Sequence, residues 1–247
     1  LPRWCLWHPQ SIFLVELDGL TVGNLDLTPD ATSIADDLTA GITTQGGDIQ
    51  ILNLSGELTI LGDGVVGLDA SGGDIALTTD RLELLADIQS FNNDVAGTLL
   101  LQPLRVDQAI NLATDGTATG TFELTTAELD HLLNGFDDFR TAEAIMVDGR
   151  PVMVETDGIT IGRVDGAHVI TIDAYTFRDS VTFRAPVAPG HIDVIGDIAT
   201  TALDTRGDDV ELTFLSSGNT ETLSADIITS GDVIQKLTAV VLDEGVT

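Results

Sequence analysis

The 247-residue chain has few aromatic and few basic residues. Aromatic side chains make up 4% of it, so its core must be built from Leu, Ile, Val and Ala. Lys and Arg total 10 against 40 acidic residues, which gives a net charge of −30. Nucleic-acid binding is not expected, because it requires clustered basic residues that neutralise phosphates. Binding to an anionic membrane surface is disfavoured for the same reason.

The sequence also lacks disulfides and long apolar runs. Its one cysteine, Cys5, excludes an intrachain disulfide and leaves the redox compartment open. No apolar run approaches the roughly 18 residues of a membrane-spanning helix, so no transmembrane segment is predicted. Residues 1–11 carry both tryptophans, Trp4 and Trp7, and do not have the pattern of a signal peptide. We interpret them as an N-terminal segment that serves as a cap or a contact surface, because two tryptophans favour burial.

Sequence motifs of catalysis are missing as well. The four histidines, His8, His131, His168 and His191, show none of the close spacings typical of zinc ligands. The sequence contains no Gly-x-Ser-x-Gly nucleophile motif and no phosphate-binding loop of the Gly-x-x-x-x-Gly-Lys-Ser/Thr type. We therefore predict that the chain is not an enzyme. The alternative is a β-helical enzyme that acts on polysaccharides through clustered aspartates.

Strand signals dominate what is present. Short alternations such as Ile49-Gln50-Ile51 and Val169-Ile170-Thr171-Ile172 place apolar residues at every second position. Gly, Asp and Asn separate these runs. The motif Gly46-Gly47-Asp48-Ile49 returns 26 residues later as Gly72-Gly73-Asp74-Ile75, with a degenerate copy at Ser230-Gly231-Asp232-Val233. This spacing predicts an all-β parallel β-helix (a β-solenoid). An antiparallel β-sandwich is the alternative.

One short helix is predicted near residues 125–134. Thr125 and Glu128 form a capping box, Leu129 and Leu132 supply an apolar face, and Gly135 suits a left-handed C-terminal cap. The helix belongs to an elbow over residues 124–157, which separates the β-helical stretches 12–123 and 158–247. Asp148-Gly149 within the elbow has the composition of a hairpin turn.

Acidic turns and a group of aromatics are the candidate binding features. Ca²⁺ requires several oxygen ligands, which turn carboxylates can supply. The candidate ligands are Asp63, Asp69, Asp74, Asp208 and Asp209. The aromatics of the middle third, which include Tyr175 and Phe177, are expected to fill the core around the elbow. The alternative is an exposed platform on which carbohydrate stacks.

A family resemblance begins at the elbow. The segment 124–129, then Gly135-Phe136, then Ile159-Thr160-Ile161-Gly162-Arg163-Val164-Asp165-Gly166 resembles very large haemagglutinin- or adhesin-like surface proteins of environmental bacteria. In that family a short helix ending in Gly-Phe precedes a strand reading Ile-x-Ile-Gly-Arg-x-Asp-Gly. The resemblance spans roughly residues 38–235, and this chain departs from it by inserting residues 137–157.

The resemblance implies secretion, a β-helical shaft and a role in adhesion, matrix or filament formation. We therefore expect an extracellular or cell-surface segment that acts through repetitive β-stacking. The partners to expect are further copies of the chain in fibres and a surface polysaccharide. A carbohydrate- or Ca²⁺-binding module is the alternative.

Overall fold

The computed structural model describes residues 11–23, 41–61, 66–92, 95–116, 121–133, 135–136, 141–147, 150–156, 158–202, 209–216, 221–235 and 240–242. The strands are β1 (Ile12–Glu16), β2 (Leu20–Val22), β3 (Ile42–Thr43), β4 (Ile49–Asn53), β5 (Leu58–Leu61), β6 (Leu68–Asp69), β7 (Ile75–Thr78), β8 (Leu82–Leu85), β9 (Ile88–Gln89), β10 (Phe91–Asn92), β11 (Val95–Ala96), β12 (Leu99–Gln102), β13 (Ile110–Thr114), β14 (Phe122–Thr125), β15 (Thr141–Val147), β16 (Arg150–Thr156), β17 (Ile159–Ile161), β18 (Val169–Ile172), β19 (Tyr175–Phe177), β20 (Val181–Ala185), β21 (His191–Val194), β22 (Ile198–Thr200), β23 (Leu212–Ser216), β24 (Glu221–Leu223), β25 (Ile227–Ile228), β26 (Val233–Gln235) and β27 (Val240–Leu242). Within the described residues the one helix is α1 (Thr126–Leu129), and no helix is long and apolar enough to cross a membrane.

The strands form stacked parallel sheets. The first sheet has eight strands in the order β1-β4-β7-β12-β17-β20-β23-β26. A second side holds the sheets β2-β5-β8 and β14-β13-β18-β21-β24-β27, and a third side holds β3-β6-β9 and β19-β22-β25. The chain visits the first, second and third sides in turn, and one such passage is called a layer below. The fold is all-β and mostly parallel, consistent with a β-helix-like fold.

The parallel pairing contradicts the antiparallel-sandwich alternative. Within the described residues, only the short pair β10–β11 and the hairpin β15–β16 are antiparallel. Parallel neighbours arise here because each strand pairs with its counterpart one layer away. The two strands that flank the predicted turn pair antiparallel, in register from Thr141↔Thr156 to Val147↔Arg150, whereas Asp148-Gly149 itself lies outside the described residues.

The core consists of columns of like residues. Ile49 pairs with Ile75, and Ile75 pairs with Leu99, so three aliphatic side chains lie above one another on the inner face. The next inward column runs from Ile51 to Phe214 and changes from aliphatic to aromatic. Its buried members are Ile51, Leu77, Leu101, Ile161, Phe183 and Phe214. Each layer covers the apolar side chains of its neighbours, which a single layer cannot do alone.

Polar side chains before the first-sheet strands also join adjacent layers. The Ser11 hydroxyl accepts the Asp48 N–H at 3.1 Å, and Asp48 Oδ1 accepts the Asp74 N–H at 3.1 Å. Asp74 Oδ1 in turn accepts the Thr98 N–H at 2.8 Å. The aspartate of the repeated motif is thus a hydrogen-bond acceptor for the next layer.

The glycines of the motif stand where backbones approach each other. A Cβ added to Gly73 would lie 2.5 Å from the Gly47 carbonyl oxygen, and one added to Gly97 would lie 1.9 Å from the Gly73 carbonyl oxygen. Both distances are far below contact distance and involve backbone atoms. In the column Gly47, Gly73 and Gly97, neither Gly73 nor Gly97 therefore has room for a side chain.

The helix is shorter than the sequence predicts. Its capping box forms as expected, with the Glu128 N–H donating to the Thr125 hydroxyl at 3.3 Å and the Thr125 N–H to Glu128 Oε2 at 2.8 Å. It ends after four residues, because Leu132 instead makes a parallel bridge with Ile88 on the third side. Gly135 has a positive φ of 115° but lies beyond the helix end.

Asp179 holds the chain just after the helix. This buried carboxylate accepts the Gly135 and Phe136 N–H groups on Oδ2 at 2.9 and 2.8 Å. Its Oδ1 accepts the N–H of Ser180 at 2.9 Å. The Gly-Phe pair is therefore fixed to the layer that follows the elbow.

His168 joins two segments in the interior. The Arg163 N–H donates to its Nε2 at 3.3 Å, so Nδ1 carries the proton and donates to the Gln108 carbonyl at 2.8 Å. The ring is fully buried, and it lies so close to Gly166 that an added Cβ would meet it at 2.4 Å. Burial, the largest cause, lowers the pKa of His168 below its ordinary value.

This burial makes stability depend on pH. The unfolded chain takes up a proton at His168 near pH 6.5, whereas the folded chain resists it until a lower pH. We expect the free energy of unfolding to fall as the pH drops below about 6.5. His168→Gln should flatten this slope in urea titrations between about pH 7.5 and about pH 5.5. Equal slopes for the two proteins would show that His168 does not cause this pH dependence.

Candidate ligand-binding surfaces beside the helix

A groove opens where the second side is interrupted. β13 and β14 belong to the same layer and pair in parallel, with Ile110↔Phe122 and Leu112↔Leu124 in register. β14 is therefore an additional strand, and it lies next to β8. The described residues of β8 and β14 share no hydrogen-bonded ladder, since they end two different sheets. An open groove of about 720 Å³ lies between them and the helix.

Glu128 bridges the two sides of this groove. Its Oε1 accepts the Leu84 N–H of β8 at 3.2 Å, while its Oε2 accepts the Thr125 N–H at 2.8 Å. The Thr125 hydroxyl also donates to Oε2 at 2.7 Å. One carboxylate thus replaces part of the missing ladder and caps the helix as well.

The other charged residues of the groove are already paired. Arg81 contacts Glu57 at 3.1 Å, and His131 Nδ1 lies 2.8 Å from Asp87 Oδ1. Glu83 accepts the Thr59 hydroxyl at 3.2 Å. The lining contains no Phe, Tyr or Trp side chain. The groove thus offers carboxylates in local pairs over an aliphatic floor, and the imidazole of His131, already paired with Asp87, is its one ring.

A second surface lies on the opposite flank of the helix. The Tyr175 hydroxyl donates to Asp130 Oδ1 at 3.2 Å, and Arg178 Nη2 donates to the same oxygen at 3.0 Å. These residues line a shallow depression of about 490 Å³, together with Thr126, Ala174, Thr176 and Asp197. Tyr175 begins β19, which is an edge strand of its sheet. The depression thus lies where the third side is interrupted.

Tyr175 connects this surface with the core. Its ring makes an edge-to-face contact with Phe177, with centroids 4.9 Å apart. Phe177 makes a similar contact with Phe183 at 5.6 Å, and Phe183 stacks on Phe214 at 5.4 Å. Burial, with the Asp130 carboxylate second, raises the pKa of Tyr175. The hydroxyl is held in its neutral form, as a hydrogen-bond donor.

The predicted calcium ligands do not come together in the described part of the chain. Both Asp69 oxygens accept hydrogen bonds, Oδ1 from Ser71 and Oδ2 from Gln89 at 2.9 Å. Asp74 Oδ1 accepts the N–H and hydroxyl of Thr98. The described residues contain no group of three His, Cys, Asp or Glu side chains placed to hold a metal ion.

The remaining predicted site residues are dispersed or lie outside the described residues. Asp209 is exposed ahead of β23. Asp63, Asp208, Trp4 and Trp7 lie outside the described residues, so calcium binding and the N-terminal contact stay predictions.

Sequence analysis missed Asp130 and Arg178 as partners of Tyr175. Asp130 follows the helix, whereas Tyr175 and Arg178 belong to a later layer. No sequence spacing therefore relates Asp130 to the other two residues. The one available signal was the solitary tyrosine in a chain of few aromatics.

Comparison with known proteins finds no matching family model, no matching curated protein and no matching solved structure.

Proposed function

We propose that the chain is a β-solenoid segment with a non-enzymatic, structural and adhesive role in an extracellular or cell-surface protein. The observation that carries the proposal is the register of the first sheet. Eight strands pair in parallel, and residues of the same type recur one layer apart on the inner face. Such stacking produces a shaft of repeated layers, which suits a spacer or a filament better than a catalytic centre.

Contacts between layers support the same proposal. The glycine column and the Asp48–Asp74–Thr98 hydrogen bonds both join one layer to the next. These contacts recur at the spacing of the layers, so their stabilising effect grows with the number of layers. The proposed surface location rests on the resemblance to adhesin-like proteins and on the acidic composition.

The proposed filament role rests on the edges of the first sheet. Among the described strands, β1 and β26 are the two ends of this sheet. Phe13 in β1 and Leu17 directly after it are both exposed, with relative accessibilities of 64% and 68%. An open strand edge favours pairing with another chain, and head-to-tail pairing that does not close generates a fibre.

Deletion of one layer tests the architecture. Removal of residues 49–74 joins Asp48 to Ile75 and restores the Gly-Gly-Asp-Ile motif, so β1 can pair with β7. We expect this variant to fold and unfold cooperatively with reduced stability, because repeat arrays tolerate the loss of a unit. Removal of residues 49–61 alone is the control, since it places a third-side strand directly after a first-side turn. If circular dichroism finds both variants equally unfolded, the solenoid proposal fails.

Electron microscopy of the intact chain tests the filament role. We expect fibres whose diffraction shows the strand spacing of about 4.8 Å along the fibre axis. Particles that remain single at every concentration would contradict a filament subunit and leave the adhesive role to be tested separately.

A further inference from the structure

The depression around Tyr175 carries more binding chemistry than the fold requires. Tyr175 is half-buried, whereas Asp130, Thr176 and Arg178 are exposed around it. The Asp130–Arg178 ion pair keeps 49% and 47% of its side-chain surfaces accessible. An exposed ion pair contributes little to stability, so its residues can be substituted without unfolding the protein.

Hydrogen-bonding capacity remains open at this surface. Tyr175 and Arg178 both donate to Asp130 Oδ1, which leaves Oδ2 available as an acceptor within the described part of the chain. Arg178 uses one of its five N–H groups in this contact, and the rest are available as donors. A charged acceptor and several charged donors therefore lie side by side next to an aromatic ring.

This combination matches the chemistry of a sugar. Adjacent hydroxyl groups of a sugar each donate and accept, so a neighbouring carboxylate and guanidinium satisfy them together through charge-assisted hydrogen bonds. The tyrosine ring offers an apolar face for the C–H groups of the sugar ring. The groove on the other flank of the helix has carboxylates but no Phe, Tyr or Trp ring, so it does not offer the same combination.

Local charge selects the class of sugar. Two carboxylates, Asp130 and Asp197, flank the single guanidinium of Arg178 in the depression. The chain as a whole carries a net charge of −30. Uronic acids and sulfated sugars would be repelled by this field, whereas a neutral sugar would not.

We propose that Tyr175, Asp130 and Arg178 form a binding site for one neutral sugar unit of a polysaccharide. Tyr175 supplies the apolar face, Asp130 Oδ2 accepts from one hydroxyl, and Arg178 donates to the next. The inference gives the adhesive part of the proposed function a ligand, and it depends on that function in this respect alone.

The solitary tyrosine makes the test direct. Incorporation of ring-¹³C tyrosine labels Tyr175 alone, since the chain contains one tyrosine. The probes are oligosaccharides of glucose, galactose and mannose, with oligogalacturonate as the acidic comparison. We expect a saturable shift of the Tyr175 ring signals with at least one neutral probe and none with oligogalacturonate. No shift with any neutral probe, or a stronger response to the acidic one, would overturn the proposal.

Two variants and one control distinguish binding from stability. Arg178→Gln and Asp130→Asn should each weaken binding at least about tenfold, because each removes charge-assisted hydrogen bonds. Arg81→Gln is the matched control, since Arg81 belongs to a similarly exposed ion pair on the other flank of the helix. Unchanged affinity in Arg178→Gln, with thermal melts equal to those of the control, would overturn the site. Failure of the sugar-site proposal would leave the result of the layer deletion unaffected.

Discussion

Replacement of Gly97 by alanine is expected to destabilise the protein by about 3 kcal/mol or more. The added Cβ would lie 1.9 Å from the Gly73 carbonyl oxygen and 2.9 Å from the Asp74 nitrogen. All of these are backbone atoms held by the first-sheet ladder, so no side chain can move aside to relieve the overlap. The two layers must separate instead, and their strand pairing weakens.

Thermal unfolding measures this effect. For a chain of this size, a loss of about 3 kcal/mol corresponds to a melting temperature lower by roughly 6–12 °C. Gly46→Ala is the control, because its Cβ would have space, with the nearest atom at 3.7 Å, but its φ is +86°. We expect a smaller loss of roughly 1–2 kcal/mol there, from conformation alone. Equal melting temperatures for Gly97→Ala and the unchanged protein would mean that Gly97 does not approach the Gly73 backbone this closely.

Asp179→Asn is expected to cost about 3 kcal/mol. The substitution preserves shape but turns one oxygen into an amide donor, which then faces backbone N–H groups. Gly135 and Phe136 both donate to Oδ2, and Ser180 donates to Oδ1, so neither orientation of the amide satisfies all three. The carboxylate is buried, so water cannot compensate for the loss.

Chemical denaturation together with hydrogen exchange tests this prediction. We expect the Gly135 and Phe136 amides to exchange faster in Asp179→Asn. Asp80→Asn, in an exposed pair with Arg105 at 2.9 Å, is the control and should lose less than about 1 kcal/mol. A loss no greater than this control would show that Asp179 does not anchor the elbow.

The repeated motif allowed part of the register to be predicted from the sequence. Gly46-Gly47-Asp48-Ile49 and Gly72-Gly73-Asp74-Ile75 do lie in adjacent layers. The degenerate copy also falls in this sheet, since Val233 begins β26. The motif does not mark the layers in between, because other residues stand at the same positions. Leu99 follows Gly97-Thr98, whereas Val181 follows Asp179-Ser180. What is physically required there is a close backbone approach and an acceptor for the next N–H, which several residue types can supply.

The helix likewise had one feature that the sequence predicted, its capping box, and one that it did not, its length. Thr125 and Glu128 act within four residues, so the sequence alone predicted their capping box. The helix length depended on Leu132, which pairs with Ile88 in an earlier layer. The Tyr175 surface depends on three layers in the same way. Local chemistry was predictable, whereas contacts between layers required the stacking order.

The additional strand β14 gives the second side one more strand than the first side at this point of the stack. Between β7 and β17 the first sheet contains β12 alone, whereas between β8 and β18 the second side contains both β14 and β13. Between these layers the second side is therefore longer than the first side by about one strand spacing, or roughly 4.8 Å. The Tyr175 face lies beside the helix that follows this additional strand, since Thr126 and Asp130 line the same depression.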